Sequence, residues 1–156
     1  MATTKTGIHI DAPRATVYRL LLDGDSVSEW MVPEGMSTEV HRFEPEVGGS
    51  FSITVTHTDE TGENAEPQHD AYYGRFTRLI PDEQIVEALE FVTDKPEMAG
   101  LQTITFILSD ADGGTQLDAL HEGVPDGLSE SDNEFAWGVA LGKVKAIAER
   151  GKIESR

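Results

Sequence analysis

Ser50-Phe51-Ser52-Ile53-Thr54-Val55-Thr56-His57 alternates apolar side chains with short polar ones along its length. A period of two sends successive side chains to opposite faces, so Phe51, Ile53 and Val55 meet a core while Ser52, Thr54 and Thr56 meet water. Strands of this kind belong to antiparallel sheets with one solvated face. The flanking segments repeat the theme. Met36 to Phe43 reads as a strand that turns through Pro45 and Gly48-Gly49 into Ser50. Tyr72 to Ile80 and Gln84 to Thr93 read as a hairpin about Pro81-Asp82. Leu101 to Ser109 and Thr115 to His121 read as another, turned by Asp112-Gly113-Gly114. Ile104, Phe106 and Leu108 face Leu117 and Ala119 across it.

Helices are expected only at the two ends. Residues 3 to 10 are rich in β-branched types and read as a first strand. Asp11-Ala12-Pro13 then offers a capping acid and a proline suited to a first helical turn. Val17, Leu20 and Leu21, broadened by Tyr18 and Leu22, form an apolar stripe that Asp23-Gly24-Asp25 interrupts. Ser26 to Trp30 reads as a short second helix, stopped by Pro33. A long last helix is expected from Ser129, whose hydroxyl can cap it, with Glu130 and Asp132 near the positive end of its dipole. Trp137, Ala140, Leu141, Val144, Ile147 and Ala148 share one face of it. Gly138 and Gly142 weaken that helix by roughly 1 kcal/mol each. They permit either close packing on the sheet or spare volume for a guest, and the second is preferred. The order strand, two helices, six strands, long helix defines an α+β architecture. With one tryptophan at each end of the strand-rich stretch, it suggests a curved sheet wrapped around the C-terminal helix with room between them.

The chain has 156 residues and no cysteine, enough for one domain with its own core and without disulfides, thiolate chemistry or sulfur-ligated metals. Neither a signal peptide nor a membrane span is read, so a cytoplasmic protein is expected. Twenty-nine acidic residues against twelve basic ones give a net charge of -17. Such a surface repels nucleic-acid backbones and anionic membranes, so neither is an expected partner. It suits a basic partner or a cationic ligand, but a solubilising role accounts for it more simply.

In this order and spacing the chain resembles the START-like (helix-grip, SRPBCC) superfamily, and more narrowly the bacterial relatives of the activator of heat-shock-protein ATPase (AHSA-type). The resemblance spans nearly the whole length. It rests on Asp11-Ala12-Pro13, Trp30, Glu44-Pro45-Glu46-Val47-Gly48-Gly49-Ser50-Phe51, and Gly74 leading to Ile80-Pro81-Asp82-Glu83. Gly113-Gly114-Thr115 and Ala136-Trp137 complete it. It implies a seven-stranded antiparallel sheet gripping the C-terminal helix, with two short helices after the first strand and an apolar pocket inside. It also implies a hydrophobic ligand, with cyclases among the wider superfamily. Three departures stand out. Asn133-Glu134-Phe135-Ala136-Trp137 replaces the common His-x-x-Gly-Trp, Glu87 and Leu89 replace a frequent aromatic pair, and the acidic loop Thr58 to Asp70 is long.

The expected pocket walls are Trp30, Phe51, Ile53, Phe76, Leu89, Phe106, Trp137 and Leu141, with Tyr73, Glu87 and His121 as polar members. Either tryptophan can instead simply pack the core. Glu87 shares the phase of Ile85, Leu89 and Phe91. An inward carboxylate there has a raised pKa and needs a partner such as Arg75 or Arg78. Lone buried carboxylates are rare, so a twist turning Glu87 to water is the preferred reading. His121 has a suitable basicity for a general base, with an ordinary pKa of about 6.5, but no nucleophile accompanies it and a hydrogen-bonded rim position is preferred. Neither residue is assigned a catalytic role beyond that of candidate. His57, His69, Asp59, Glu60, Glu63, Glu66 and Asp70 lack metal-site spacing, and the two diglycines read as turns rather than phosphate loops. No metal and no cofactor are expected.

The function expected is non-catalytic binding of a small hydrophobic or aromatic molecule between sheet and last helix. The alternatives are a cyclase- or hydrolase-like enzyme in the same pocket, and a chaperone-regulating, stress-response module acting through its acidic surface. The first uses Glu87 or His121, and the second implies a protein partner. A homodimer is left open.

Overall fold

The computed structural model describes residues 2–31, 36–57 and 68–154. The chain opens with β1 (Ala2–Ile10), followed by two short helices, α1 (Arg14–Leu21) and α2 (Gly24–Trp30). Six strands come next: β2 (Met36–Phe43), β3 (Ser50–His57), β4 (Gln68–Ile80), β5 (Gln84–Val92), β6 (Gln102–Ala111) and β7 (Gly114–Val124). Helix α3 (Glu130–Glu154) ends the described chain. A turn of 3-10 helix at Pro96–Met98 is an element the sequence reading lacks. Pro33 and the acidic stretch 58–67 lie outside the described residues.

All seven strands join one sheet in the order β1-β7-β6-β5-β4-β3-β2, each neighbour antiparallel. The α+β, helix-grip architecture expected from the sequence is the one observed. The β6–β7 hairpin is tight because Asp112 and Gly113 both take positive φ, 45° and 80°. Two left-handed central residues match the twist of the strands they join. In the β2–β3 turn, Glu44 accepts hydrogen bonds from the Ser50 amide and hydroxyl, both at 3.0 Å. The Ser50 amide first, then the Arg42 guanidinium and the Ser50 hydroxyl, hold its carboxyl at about 2.

Helix starts differ from expectation in two places. Helix α1 begins after Pro13, whose carbonyl accepts from Thr16 and Val17, and Asp11 is not its cap. The Asp11 amide instead donates to Glu149 on α3, at 2.9 Å. Helix α2 begins at Gly24, since the Asp23 carbonyl already receives the Val27 amide. For α3 the expected cap is present: Ser129 Oγ accepts the Asp132 amide at 3.1 Å.

The core lies between the concave face of the sheet and α3, with α1 and α2 covering one flank. Ile10, Phe51, Ile53, Phe76, Ile85, Phe106 and Leu117 from the sheet meet Leu141, Val144 and Ala148 from the helix. Gly138 and Gly142 take no part in this contact. A methyl group at either would meet nothing, and Gly138 is exposed. Neither close packing nor interior volume is their role, so both readings of that pair are corrected.

Candidate functional site

Beneath the first turns of α3 the sheet and helix separate around a cavity of about 590 Å³. Leu89 and Phe91 of β5, Gln102 and Ile104 of β6, Tyr72 of β4 and His121 of β7 form its floor. Trp30 and Met31 close one side, and Asn133, Ala136, Trp137 and Ala140 of α3 form the roof. Phe135 and Val139 stand at the mouth, and Phe135 is 75% exposed. Phe106 lies between the two indoles, edge-on to Trp30 at 6.0 Å and to Trp137 at 5.8 Å. Each tryptophan therefore packs into the core and faces the cavity.

Trp30, Leu89, His121 and Trp137 are thus brought together. Phe51, Ile53, Phe76, Phe106 and Leu141 are buried in the solid part of the core and do not line the space, and Glu87, expected as a polar member of the pocket, is not among its lining residues either. Tyr73 is a correction. Phe76 and Tyr72 are buried on the concave face, so strand alternation turns Tyr73 outward, where its hydroxyl donates to Glu90 at 3.1 Å. Its neighbour Tyr72 holds the wall position instead. Tyr72 and Gln102 share the phase of Phe76 and of Ile104 with Phe106, and that signal could have found both.

His121 sits in a buried network. Its Nδ1 receives the Trp137 indole N–H at 3.1 Å and lies 3.1 Å from Asn133 Nδ2. Asn133 Nδ2 also donates to Thr4 Oγ1 at 2.8 Å. On the other side of the ring, His121 Nε2 lies 2.8 Å from Gln102 Oε1. Burial lowers the histidine to about 4, so it is neutral at physiological pH. With a donor already on Nδ1 and Nε2 directed at an acceptor, it has no free lone pair with which to take a proton. The general-base reading of His121 is not supported by this geometry.

Glu87 points inward but is only half-buried. It lies between buried Ile85 and Leu89 on β5 and pairs in register with Ile104. The preferred expectation that it turns to water is therefore corrected. So is the proposed pairing with Arg75 or Arg78, since both are exposed on the strand's other side. The Glu87 carboxyl has no hydrogen bond or ion pair among the described residues, and removal from water pushes it up to about 8. At neutral pH it is mostly a neutral acid. Tyr72 lies near enough to feel it: burial first, then the Glu87 charge, raises the phenol. Among the described residues the Tyr72 hydroxyl has no partner, nor do Trp30 Nε1 and Gln102 Nε2.

A second depression, of about 490 Å³, lies beside the β4–β5 and β6–β7 turns. Arg14 lines it, bonded to Asp110 at 2.9 Å and to the Asp82 carbonyl at 3.1 Å. No charged side chain lines the larger cavity among the described residues. Among those residues no helix is long and apolar enough to cross a membrane.

A sheet gripping one long helix with a hollow between them is the START-like fold, a class known for ligand binding. Residues 11–149 match the family described as Activator of Hsp90 ATPase homolog 1-like protein, and the chain belongs to it. Among solved structures, a Chromobacterium violaceum protein is 26% identical with a TM-score of 0.83, covering 96% of this chain and 99% of that one. The Aha1 dimer from Colwellia psychrerythraea is 20% identical, TM-score 0.62, over 97% of this chain and 99% of that one. A protein in the dynemicin biosynthetic locus is 14% identical, TM-score 0.68, over 96% of this chain and 48% of that one. No curated protein matches the chain.

Proposed function

We propose that the protein binds a small hydrophobic or aromatic molecule between its sheet and the first half of α3, without transforming it. The observation that carries this reading is the apolar cavity of about 590 Å³, walled by both indoles and open past Phe135. Its size falls within the roughly 300–1,000 Å³ usual for small-molecule sites. A guest there removes its own apolar surface and that of the walls from water, which supplies the affinity. The test is native mass spectrometry of the purified protein, alongside an Ala140→Trp variant that fills the roof. A small molecule should travel with the parent and be lost from the variant. Equal retention by both would place the guest elsewhere and reject this site.

Enzymatic turnover has one observation in its favour, Glu87 on the inner face of the sheet, which stays protonated near neutrality but stands outside the cavity lining. Glu87→Gln separates the two readings. A binding protein keeps its guest unchanged in either form, whereas an enzyme relying on this acid accumulates unreacted guest only in the variant.

A further inference from the structure

Phe135 is 75% exposed and Val139 37%, and both stand at the mouth of the cavity on the outer side of α3. Ser131, Gly138, Gly142 and Ala146 continue their face at spacings of three and four residues. None of these side chains is charged, in a chain whose net charge is -17. Gly138 and Gly142 each weaken the helix relative to alanine, yet a methyl group at either would meet nothing within 4 Å. The monomer therefore gains nothing from either glycine. A second helix does. Helix axes pack about 8–10 Å apart, depending on the side chains between them, and glycine permits the nearest approach.

Charge identifies the occupant. Residues 130–140 of α3 hold three acids, Glu130, Asp132 and Glu134, and no base. Residues 141–150 hold three bases, Lys143, Lys145 and Arg150, against one acid, Glu149. Two copies of the helix crossing antiparallel near Gly138 and Gly142 set each acidic half against the other's basic half. Residues equally far from the crossing then meet, so Asp132 comes beside the second copy's Arg150 and Glu134 beside its Lys145. Arg150 is 60% exposed in its pair with Glu29, and its guanidinium has donors for another carboxylate. A parallel pair would bring like charges together. We propose that the protein forms a two-fold dimer through this face of α3, with Gly138 against Gly142 at the crossing and Phe135 buried between the helices. Such a contact is isologous, the commonest form of a two-chain assembly. It goes beyond the binding function proposed above and does not depend on it, but it bears on the same site: the second copy covers the mouth at Phe135 and Val139.

Sedimentation equilibrium of the full chain should show a dimer. Gly142→Leu adds a side chain with open space around it in the monomer, so circular dichroism should be unchanged while the helices are held apart. Its dissociation constant should rise about a hundredfold, and that of Phe135→Ser about tenfold. Asp132→Arg and Arg150→Asp each turn attraction across the two-fold into repulsion, so each alone should weaken the dimer about tenfold at low salt. Mixed in equal amounts, these two single variants should recover a dimer, since each supplies the charge that the other has lost. Damage to folding could not produce that recovery. A monomeric parent overturns the inference, as does one that floats with neutral phosphatidylcholine vesicles through Phe135, which would assign the face to a bilayer. A dimer indifferent to Gly142→Leu, or single variants that stay apart on mixing, overturns it too. None of these outcomes touches guest binding, which native mass spectrometry reads separately.

Discussion

Helix α3 meets the same sheet in two ways along its length. From Leu141 to Ala148 its inward side chains are solidly packed: Leu141 and Val144 are 0% exposed against Ile10, Val17 and Leu117, also at 0%. The end of β1 is tied to this half, since Lys145 donates to the His9 carbonyl at 3.2 Å and Glu149 accepts the Asp11 amide. From Asn133 to Ala140 the helix roofs a cavity instead. The difference lies in side-chain size at inward positions. Leucine and valine fill one half, while Ala136 and Ala140 leave the other open above Gln102 and Ile104. Packing in the solid half supports the fold, while the hollow half holds Trp30, Tyr72 and Gln102, whose buried polar atoms find no partner among the described residues.

The largest expected effect follows from the solid half. Leu141→Ala should lower unfolding free energy by about 3 kcal/mol, within the range of buried leucine truncations, as read by denaturant titration. A loss under about 1 kcal/mol would mean that this half is as loosely filled as the other, and the contrast would fail.

Next comes the pair of inward titratable residues beside Ile104, which should give opposite pH signatures. His121 has a folded pKa of about 4, below its ordinary 6.5, so the unfolded chain binds more protons between those values. Its contribution to stability therefore rises with pH across about 4 to 6.5. Glu87 has a folded pKa of about 8, above its ordinary 4.5, so the native state binds more protons there, and stability falls as pH rises from about 4.5 to 8. Where the windows overlap, the slopes cancel. His121→Leu should cost about 2–3 kcal/mol at neutral pH, because the Trp137 and Asn133 donors lose their acceptor, and it should expose the falling slope of Glu87. Glu87→Gln should leave the rising slope of His121 and stabilise the protein by about 2 kcal/mol at pH 8, after allowance for partial solvent contact. Chemical denaturation from pH 4 to 9 measures both. A Glu87→Gln profile that still falls above pH 6.5 would show that another group carries the effect.

Much of this contrast could be read before the fold was known, but unevenly. Alternation in Ser50–His57 and the turn residues Asp112-Gly113 define the strands because period and φ preference are local properties. Trp30 and Trp137 stand out through size and position alone. What escaped was the phase of single residues. Tyr72 and Tyr73 are adjacent and chemically identical, so composition cannot choose between them, and only the inward setting of Phe76 decides. Gln102 escaped because its meaning comes from a chain of contacts through His121 and Trp137, residues distant in sequence. Glu87 went the other way. The rarity of lone buried carboxylates argued for water, whereas a regular β5 beside a cavity holds it inward as a neutral acid.

The smallest expected effects come from that tyrosine pair, and they test the contrast most finely. Tyr73→Phe removes one exposed hydrogen bond to Glu90 and should change stability by less than about 0.5 kcal/mol, with no change in ligand affinity. Tyr72→Phe removes a buried hydroxyl that has no partner among the described residues, so the ligand-free protein should gain about 1 kcal/mol of stability. If Tyr72→Phe instead loses stability in the ligand-free protein, the hydroxyl is satisfied at home.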